Sequence, residues 1–355
     1  MTKTTPTSMA SPPISHSTMR NTDMTNGTVD LLKLRVHEDT RYVSFKRCEH
    51  LRTRVQEFWD HVKVCLQGGG SRRRILAVVG ESGTGKTTSL LHVFNGFNEF
   101  KRYRDKEKLV IPMISFEVPR PCTNKDLAIH ILNELDVPAS HSANEYDLFQ
   151  AVKFQLRECG TVLLHLDEAQ HLLQAETAAA VRKLQDRLKS LLVIPDWPLH
   201  VILSGVPELA NLFTGDQQLA NRSTVMRFEN LLFPGDKKMV VTILRDIAVD
   251  HCGLQLDKQL LTDDFLGRLV SASGGGIGTL IEFIRAACYK ALSKGHTLLD
   301  TKDFAFAYGR FSGSRDVDNI MTASSWQEID RGNALVDLLP TPAKGKRSRK
   351  SKTWH

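Results

Sequence analysis

The sequence predicts an α/β fold with a parallel sheet, followed by a small, all-helical C-terminal domain. Short apolar segments alternate with longer amphipathic ones from Arg74 to Val206, which is the pattern of parallel strands covered by helices on both faces. After about Pro234 the segments have helical periodicity. A glycine-rich loop joins the first strand to the next helix, so we expect the functional site at that edge of the sheet.

The elements follow one another in a regular order. The segment "CEHLRTRVQEFWDHVKVCL" has apolar residues every three or four positions and predicts an amphipathic helix, and "QGGGS" interrupts the chain after it. The predicted strands are "RILAVV", "LVIPMISFEV", "TVLLHL" and "LHVILSGV". Among the helices between them, "NKDLAIHILNEL" begins near Thr123 or Asn124, either of which could cap it.

The positive charge of the chain is concentrated at its C-terminus. The formal net charge is +7, and six cations lie in "KGKRSRKSK", so the rest of the chain is near +1 (7 − 6). Such a run favours a polyanion, above all nucleic acid, or serves only to keep the chain soluble. These cations are Lys344, Lys346, Arg347, Arg349, Lys350 and Lys352.

The remaining composition predicts a cytoplasmic protein with reduced thiols. The six cysteines include no C-x-x-C pair, and their spacing indicates neither a zinc site nor a disulfide framework. We expect no membrane partner, because no apolar run approaches the ~20 residues that a membrane-spanning helix needs. The N-terminus has no secretion signal.

The loop "GESGTGKTT" matches the phosphate-binding pattern G-x-x-x-x-G-K-S/T between a strand and a helix. Its glycines let backbone N–H groups turn toward phosphate oxygens, Lys86 supplies a positive charge to the β and γ phosphates, and the Thr87 hydroxyl suits Mg²⁺. The alternative is a glycine turn without a ligand. The predicted nucleotide-binding residues are Gly80, Glu81, Ser82, Gly83, Thr84, Gly85, Lys86, Thr87 and Thr88.

Two acidic residues follow the third apolar strand, in "TVLLHLDEAQHL". We expect Asp167 to hold Mg²⁺ together with Thr87, and Glu168 to act as the general base that polarises the attacking water. The weaker alternative is a helix N-terminus that merely favours acids.

Three more residues are candidates for the reaction. Ser204 follows the fourth apolar segment's hydrophobic residues, where it could sense the γ-phosphate or orient the water; the alternative is a Ser-Gly turn residue. Arg222 and, as second choice, Arg227 follow "QLAN" and could stabilise transition-state charge at a neighbouring subunit's nucleotide. Either arginine could instead be a solvated surface residue.

In this order, from about residue 45 to 310, these features resemble the AAA+ ATPases. More narrowly, "PRPCTNKDLAIHILNELDVP", "HLDEAQHL", "LSGVPELA", "QLANR" and "SASGGGIGTLIEFIRAAC" resemble the TniB/TnsC family of transposition ATPases, relatives of bacteriophage Mu B protein. Most AAA+ proteins carry a sensor-2 arginine in a G-x-x-R pattern, whereas "GGGIGTL" has none, and this departure supports the narrower family.

The resemblance implies an ATP- and Mg²⁺-dependent enzyme of the bacterial cytoplasm. Such ATPases assemble on double-stranded DNA as rings or helical filaments, link a TniQ-like target selector to a DDE transposase, and disassemble on hydrolysis. Whether a CRISPR effector takes part stays open. Together with the changes in composition along the chain, the resemblance predicts a disordered segment (1–40), an AAA+ α/β domain (41–234), a helical lid (235–312) and a flexible basic tail (313–355).

The predicted DNA contacts surround the second strand, where the interior of this family's ring meets the duplex backbone. They would hold phosphates without reading sequence. The alternative is that both stretches are solvated loops on the outside. The residues are Arg102, Arg104, Lys106, Arg120, Thr123 and Lys125.

Other functions share the same core. A replication initiator or helicase loader is the first alternative, and we expect it to carry a winged-helix DNA reader after the lid, for which the residues after Gly313 leave no room. A signalling NTPase that binds protein rather than DNA is the second. A small-molecule kinase is a distant third, because no substrate lid or acceptor site is visible.

Overall fold

A computed structural model of the chain describes residues 31–173 and 177–330. Its strands are β1 (Ile75–Gly80), β2 (Tyr103–Asp105), β3 (Lys108–Val110), β4 (Met113–Glu117), β5 (Leu163–Asp167), β6 (His200–Gly205), β7 (Ser223–Phe228), β8 (Gln255–Leu256) and β9 (Leu298–Leu299). Its α-helices are α1 (Leu31–Thr40), α2 (Lys46–Leu66), α3 (Lys86–Asn95), α4 (Asn124–Glu134), α5 (Glu145–Glu158), α6 (Ala178–Leu191), α7 (Gln217–Asn221), α8 (Lys237–Arg245), α9 (Asp263–Ser273), α10 (Ile277–Ser293) and α11 (Thr301–Ser312).

The core is a five-stranded parallel sheet in the order β4-β5-β6-β1-β7. Every residue of β5 and β6 is buried, as expected for central strands that are covered on both faces. One apolar cluster covers the face under α4, α5 and α6, and a second covers the face under α2 and α3. The predicted α/β class with its parallel sheet is confirmed.

Local signals explain where the helices begin. Thr123 caps α4 in a capping box, because its hydroxyl accepts from Asp126 N while the Asp126 carboxylate accepts from Thr123 N. The apolar stripe of α2 packs against α3 and the sheet, as its spacing predicts, but it ends in buried Cys65 while Leu66 stays exposed.

The strand predictions need two corrections. The segment "LVIPMISFEV" is not one strand: β2 and β3 form an antiparallel hairpin, and β4 begins only after Pro112, which has no N–H group to donate to a ladder. Strand β7, "STVMRF", was missed because it is a half-exposed edge strand in which Ser223, Thr224 and Arg227 interrupt the apolar residues.

The C-terminal region after Pro234 is helical as predicted, with a core between α8, α9, α10 and α11. The prediction that this domain is all-helical is wrong in one detail, because β8 and β9 form a parallel pair of two residues each. The boundaries of the two central regions, 41–234 and 235–312, remain predictions.

The prediction that residues 1–40 are disordered was wrong for the last ten of them, which form α1. Helix α1 packs against α10 of the lid. The Tyr289 hydroxyl donates to Asp39 Oδ1 at 2.8 Å, and the Arg285 guanidinium donates to the Arg41 carbonyl at 2.5 Å. Glu38 is buried at this contact. Residues 1–30 lie outside the described residues.

The prediction that residues 313–355 form a flexible tail was wrong for residues 313–330. Ile320 and Met321 are buried in the lid core, and Arg268 donates to the carbonyls of Ile320 and Ala323 at 2.8 and 2.7 Å. Residues 331–355, which include the basic run, lie outside the described residues. Within the described ranges, no helix is both long and apolar enough to span a membrane.

Candidate nucleotide-binding site

The glycine-rich loop lies between β1 and α3, at the carboxyl edge of the sheet. Gly83 and Gly85 have φ angles of 77° and 83°, a region that side chains other than glycine avoid. Gly85 is the N-cap of α3, so the first free N–H groups of the helix point into the loop. The Thr84 hydroxyl donates to the Glu81 carbonyl at 2.7 Å and fixes the turn from within. The loop therefore has the backbone of a phosphate cradle.

Lys86 is folded back under this loop. Its Nζ donates to the carbonyls of Gly80 and Glu81 at 2.7 and 2.8 Å and to Thr84 Oγ1 at 3.3 Å. Burial lowers the pKa of Lys86, while the carboxylates of Glu168 and Asp167 oppose that shift. The ammonium thus lies beside the loop. When a nucleotide binds, Lys86 would release these carbonyls and donate to phosphate oxygens instead.

Oxygen ligands for a divalent cation meet at the end of β5. The Thr87 hydroxyl donates to Asp167 Oδ2 at 2.7 Å, and the Ser204 hydroxyl donates to Asp167 Oδ1. A hydroxyl and a carboxylate are the ligands that Mg²⁺ prefers in proteins, together with phosphate oxygens and water. Because α3, β5 and β6 bring Thr87, Asp167 and Ser204 together, these residues fit a Mg²⁺–nucleotide site.

A buried histidine extends this chain of hydrogen bonds. The Ser204 hydroxyl donates to Asp167, so its oxygen is left to accept from His165 Nε2 at 2.8 Å, and His165 Nδ1 accepts from the Ser115 hydroxyl at 2.7 Å. Burial lowers the pKa of His165 to about 4, so the ring is neutral. The sequence prediction missed His165 and Ser115; the only signal was a polar residue inside an apolar strand.

The predicted general base is held by a neighbouring side chain. Glu168 has a φ of 51°, and its Oε2 accepts from Gln170 Nε2 at 2.5 Å. Gln170 Oε1 in turn accepts from Val206 N at 3.2 Å, two residues after Ser204. Gln170, which the sequence prediction also missed, therefore links the carboxylate of Glu168 to the end of β6.

The lid contacts the tip of the loop at the N-terminus of α10. The amides of Gly278 and Thr279 donate to the Gly83 carbonyl at 2.8 and 3.4 Å. A Cβ on Gly276 or Gly278 would lie 2.8 or 2.9 Å from that carbonyl oxygen, so the close approach needs glycine. The segment "GGGIGTL" thus brings backbone amides to the loop.

The two candidate arginines lie away from this site. Arg222 precedes β7 at the amino edge of the sheet, whereas the loop lies at the carboxyl edge. The Arg222 carbonyl accepts from Ile75 N at 3.0 Å, at the start of β1. It therefore cannot reach the loop of its own chain, which follows the other end of β1. Arg227 pairs in register with Val79, nearer the loop, and its side chain is exposed on the edge strand.

Some of the predicted DNA-contact residues are exposed, whereas others form ion pairs or hydrogen bonds within the chain. Arg104, Lys106 and Arg120 are exposed. Arg102 forms ion pairs with Glu134 and Asp136 at 3.8 and 3.2 Å. The other two have local roles as well: Lys125 Nζ donates to the His141 carbonyl, and Thr123 caps α4. DNA contact by any of these residues stays a prediction.

Comparisons with known proteins agree with this geometry. Residues 69–213 match the family model described as an AAA domain. No curated protein matches the chain. Among solved structures, Cdc6p from Pyrobaculum aerophilum is similar, with 16% identity and a TM-score of 0.52 over 77% of this chain and 70% of that one.

Two structures of the ORC2 protein from Aeropyrum pernix are similar as well. The ADPNP–ADP form has 17% identity and a TM-score of 0.53 over 78% of this chain and 71% of that one. The ADP form has 16% identity and a TM-score of 0.52, over 78% and 72%. At these identities the likeness concerns the fold.

Proposed function

We propose that this chain, whose fold is that of an AAA+ P-loop NTPase with a helical C-terminal region, is a Mg²⁺-dependent ATPase that assembles on double-stranded DNA and regulates transposition. In this proposal the ATP-bound protein forms a ring or helical filament, couples a TniQ-like target selector to a DDE transposase, and leaves the DNA after hydrolysis. The ATPase part rests on the site geometry, and the transposition part rests on the resemblance of the motifs.

One observation carries the ATPase assignment: the hydroxyls of Thr87 and Ser204 both donate to the Asp167 carboxylate beside the phosphate-binding loop. Mg²⁺, when bound, would shield the phosphate charge. Thr87 and Asp167 would hold it, and Lys86 would neutralise charge on the β and γ phosphates. Glu168 would take a proton from the attacking water as its oxygen bonds to the γ-phosphorus and the bond to the β-phosphate oxygen breaks.

The position of Arg222 supports assembly. An arginine at the opposite edge of the sheet can reach a nucleotide only on another copy of the chain, which is how a ring or filament would complete each site. The exposed cations Arg104, Lys106 and Arg120 suit contact with a phosphate backbone. The basic run after residue 343 would add further phosphate contacts.

A replication initiator is the second candidate. The observation in its favour is the likeness to Cdc6p and to ORC2, the latter in complexes with ADPNP and ADP. A transposition regulator and a replication initiator would both bind nucleotide and duplex DNA. They differ in the protein that they recruit to the DNA, a transposase or a helicase.

Electron microscopy and pull-down of the full chain on duplex DNA without any special sequence test the proposal. We expect regular assemblies with a nonhydrolysable ATP analogue, none without nucleotide, and none with Lys86→Ala. The assemblies should retain a DDE transposase and release it when ATP is hydrolysed. Retention of a hexameric helicase instead would favour the initiator. No nucleotide-dependent retention on DNA, with ATP hydrolysis intact, would leave an ATPase that does not act on DNA.

A further inference from the structure

A cluster of histidine and cysteine side chains lies at the amino edge of the sheet, far from the nucleotide site. His61 and Cys65 are one turn apart on α2 and therefore share a face. His200 is the first residue of β6. One ligand atom from each of the three side chains lies within 4.8 Å of the other two. We propose that His61, Cys65 and His200 bind a zinc-class divalent cation that fastens α2 to β6.

The distances are near those of a tetrahedral site. His61 Nδ1 lies 2.8 Å from His200 Nε2 and 3.8 Å from Cys65 Sγ. Zn–N bonds of ~2.0–2.1 Å and a Zn–S bond of ~2.3 Å at tetrahedral angles need about 3.4 Å between the nitrogens and about 3.6 Å from nitrogen to sulfur. The two rings must therefore move apart by about 0.6 Å, while the sulfur already lies close to the distance from His61 Nδ1 that a shared ion needs.

The second layer of contacts is that of a metal ligand. His200 Nδ1 donates to the Pro198 carbonyl at 2.8 Å, which leaves Nε2 with its lone pair directed at the cluster. Metal-binding histidines nearly always carry such a partner on their other nitrogen. His200 is fully buried, and its contact with the Pro198 carbonyl fixes the tautomer whose Nε2 is free to bind an ion.

The loop after α2 closes the cluster on the solvent side. Gly70 has a φ of 84°, and a Cβ there would overlap the Cys65 sulfur. The "QGGGS" break that follows α2 therefore lets the backbone lie directly on the cluster. Ser71 comes next, with its hydroxyl 3.2 Å from His61 Nε2 and its amide donating to the same nitrogen at 3.0 Å.

Binding would change the protonation of two side chains. Cys65 loses its thiol proton to solvent as the S–metal bond forms. His61 shifts its proton from Nδ1 to Nε2, and Nδ1 then bonds to the ion. The Ser71 amide, which donates to Nε2 in the structure, must release this nitrogen, and the Ser71 hydroxyl oxygen accepts the new Nε2–H instead. One proton leaves for each ion bound. Water supplies the fourth ligand of a tetrahedral site.

The spacing of the cysteines gave no sign of this site, because only one cysteine takes part and the third ligand is 135 positions further on (200 − 65). The side chains can also be satisfied without an ion, as a hydrogen-bonded histidine pair beside a small apolar thiol. The two states differ in whether the sulfur is a thiolate bound to metal, and a spectrum can report that.

The test uses the full chain, stripped with a chelator and titrated with Co²⁺ and then with Zn²⁺, without nucleotide. We expect one equivalent of Co²⁺ to give a thiolate-to-cobalt band in the near ultraviolet and tetrahedral d–d bands in the visible, and Zn²⁺ to abolish both. Cys65→Ser should remove the thiolate band. Cys159→Ser, which changes a cysteine outside the cluster, should keep it. An oxygen site such as that of Thr87 and Asp167 cannot produce this band.

Stability gives a second measurement. Zn²⁺ should raise the Tm of the wild type and of Cys159→Ser but not that of Cys65→Ser. His61→Gln, at a half-buried position, should weaken Zn²⁺ binding by more than the ~10–100-fold that loss of an outer partner costs. A wild-type protein without the thiolate band, or a band that survives in both Cys65→Ser and His61→Gln, would overturn the proposal and leave a hydrogen-bonded pair.

Discussion

The two ends of strand β6 differ in the chemistry that they present. At its carboxyl end Ser204 joins Asp167 and Thr87 in a group of oxygen ligands, which suits Mg²⁺ and phosphate. At its amino end His200 joins His61 and Cys65 in a group of nitrogen and sulfur ligands, which suits a softer ion. One buried strand thus carries oxygen donors at one end and nitrogen and sulfur donors at the other, and substitutions at one end leave the other end's residues in place.

Loss of the lysine at the carboxyl end should have the largest effect. With Lys86→Ala the phosphates lose their mobile cation while the backbone cradle remains, so we expect no measurable ATP binding and no assembly on DNA. Titration calorimetry with ATP and Mg²⁺ measures this. The amino end should be untouched, so the Tm of the variant should still respond to Zn²⁺. Wild-type affinity for ATP in this variant would contradict the assignment of the loop.

Substitution of Arg222 tests whether this arginine, at the amino edge of one copy, acts on the nucleotide bound at the carboxyl edge of another copy. Arg222→Ala should bind ATP normally, because Arg222 lies away from its own loop. Hydrolysis by the assembled protein should fall by ~10³–10⁵, the range known for such arginines.

Mixing Arg222→Ala with Lys86→Ala sharpens this test. Each variant alone should be inactive, while some mixed interfaces should combine an intact arginine with an intact loop and regain hydrolysis. Arg227→Ala is the matched comparison at the exposed edge. No recovery at any ratio, with both proteins folded, would argue against a shared site.

Glu168→Gln should separate binding from reaction at the carboxyl end. Gln keeps the shape and the hydrogen bond to Gln170 but cannot take a proton, so the hydrolysis rate should fall by ~10²–10⁴. ATP and Mg²⁺ binding should survive, and complexes on DNA should last longer. Single-turnover hydrolysis and dissociation rates measure both effects. Glu208→Gln, an exposed acid near the same edge, is the control, and faster disassembly of Glu168→Gln would contradict the role.

The smallest effect concerns acid stability. The pKa of His165 is near 6.5 in the unfolded chain and about 4 in the folded chain, where the ring is buried. Between these pH values the unfolded chain therefore binds a proton that the folded chain does not bind. Its contribution is complete above pH ~6.5 and is lost as pH falls toward 4. His165→Gln should therefore lower the slope of unfolding free energy against pH by up to ~1.4 kcal/mol per pH unit in this window.

Urea titrations between pH 4 and 7 measure that slope. His200 at the other end of β6 also has a lowered pKa, so part of the acid sensitivity should remain in His165→Gln. His50→Gln, at an exposed position, should not change the slope. An unchanged slope in His165→Gln would show that the buried ring does not stay neutral as inferred.

The carboxyl end could be predicted because its motifs are local in sequence. The loop residues from Gly80 to Thr88 are contiguous, and Asp167 and Glu168 directly follow an apolar strand, so alternation and spacing were enough. What escaped prediction depends on distant contacts. His165 and Gln170 matter only through partners on neighbouring strands, and nothing in "HLDEAQ" names those partners. The cluster of His61, Cys65 and His200 escaped for the same reason.

The fold shows the same division. The buried strands were predicted from their apolar runs, whereas β7 and the β2–β3 hairpin were missed because exposed strands carry polar residues. Helix α1 and residues 313–330 were taken for unstructured chain because each has little apolar periodicity of its own. Both are ordered by contacts that the lid supplies, such as those of Arg285 and Arg268.

The packing of α1 on the lid has a mechanical consequence. The lid is joined to the α/β domain by the chain around Pro234, and α1 gives it a second attachment through residues 41–45, whose Tyr42 stacks on His92 of α3 with ring centroids 3.6 Å apart. Two links restrict the movements of the lid more than one link would. They therefore also limit how far the Gly278 amide can move from the Gly83 carbonyl of the loop.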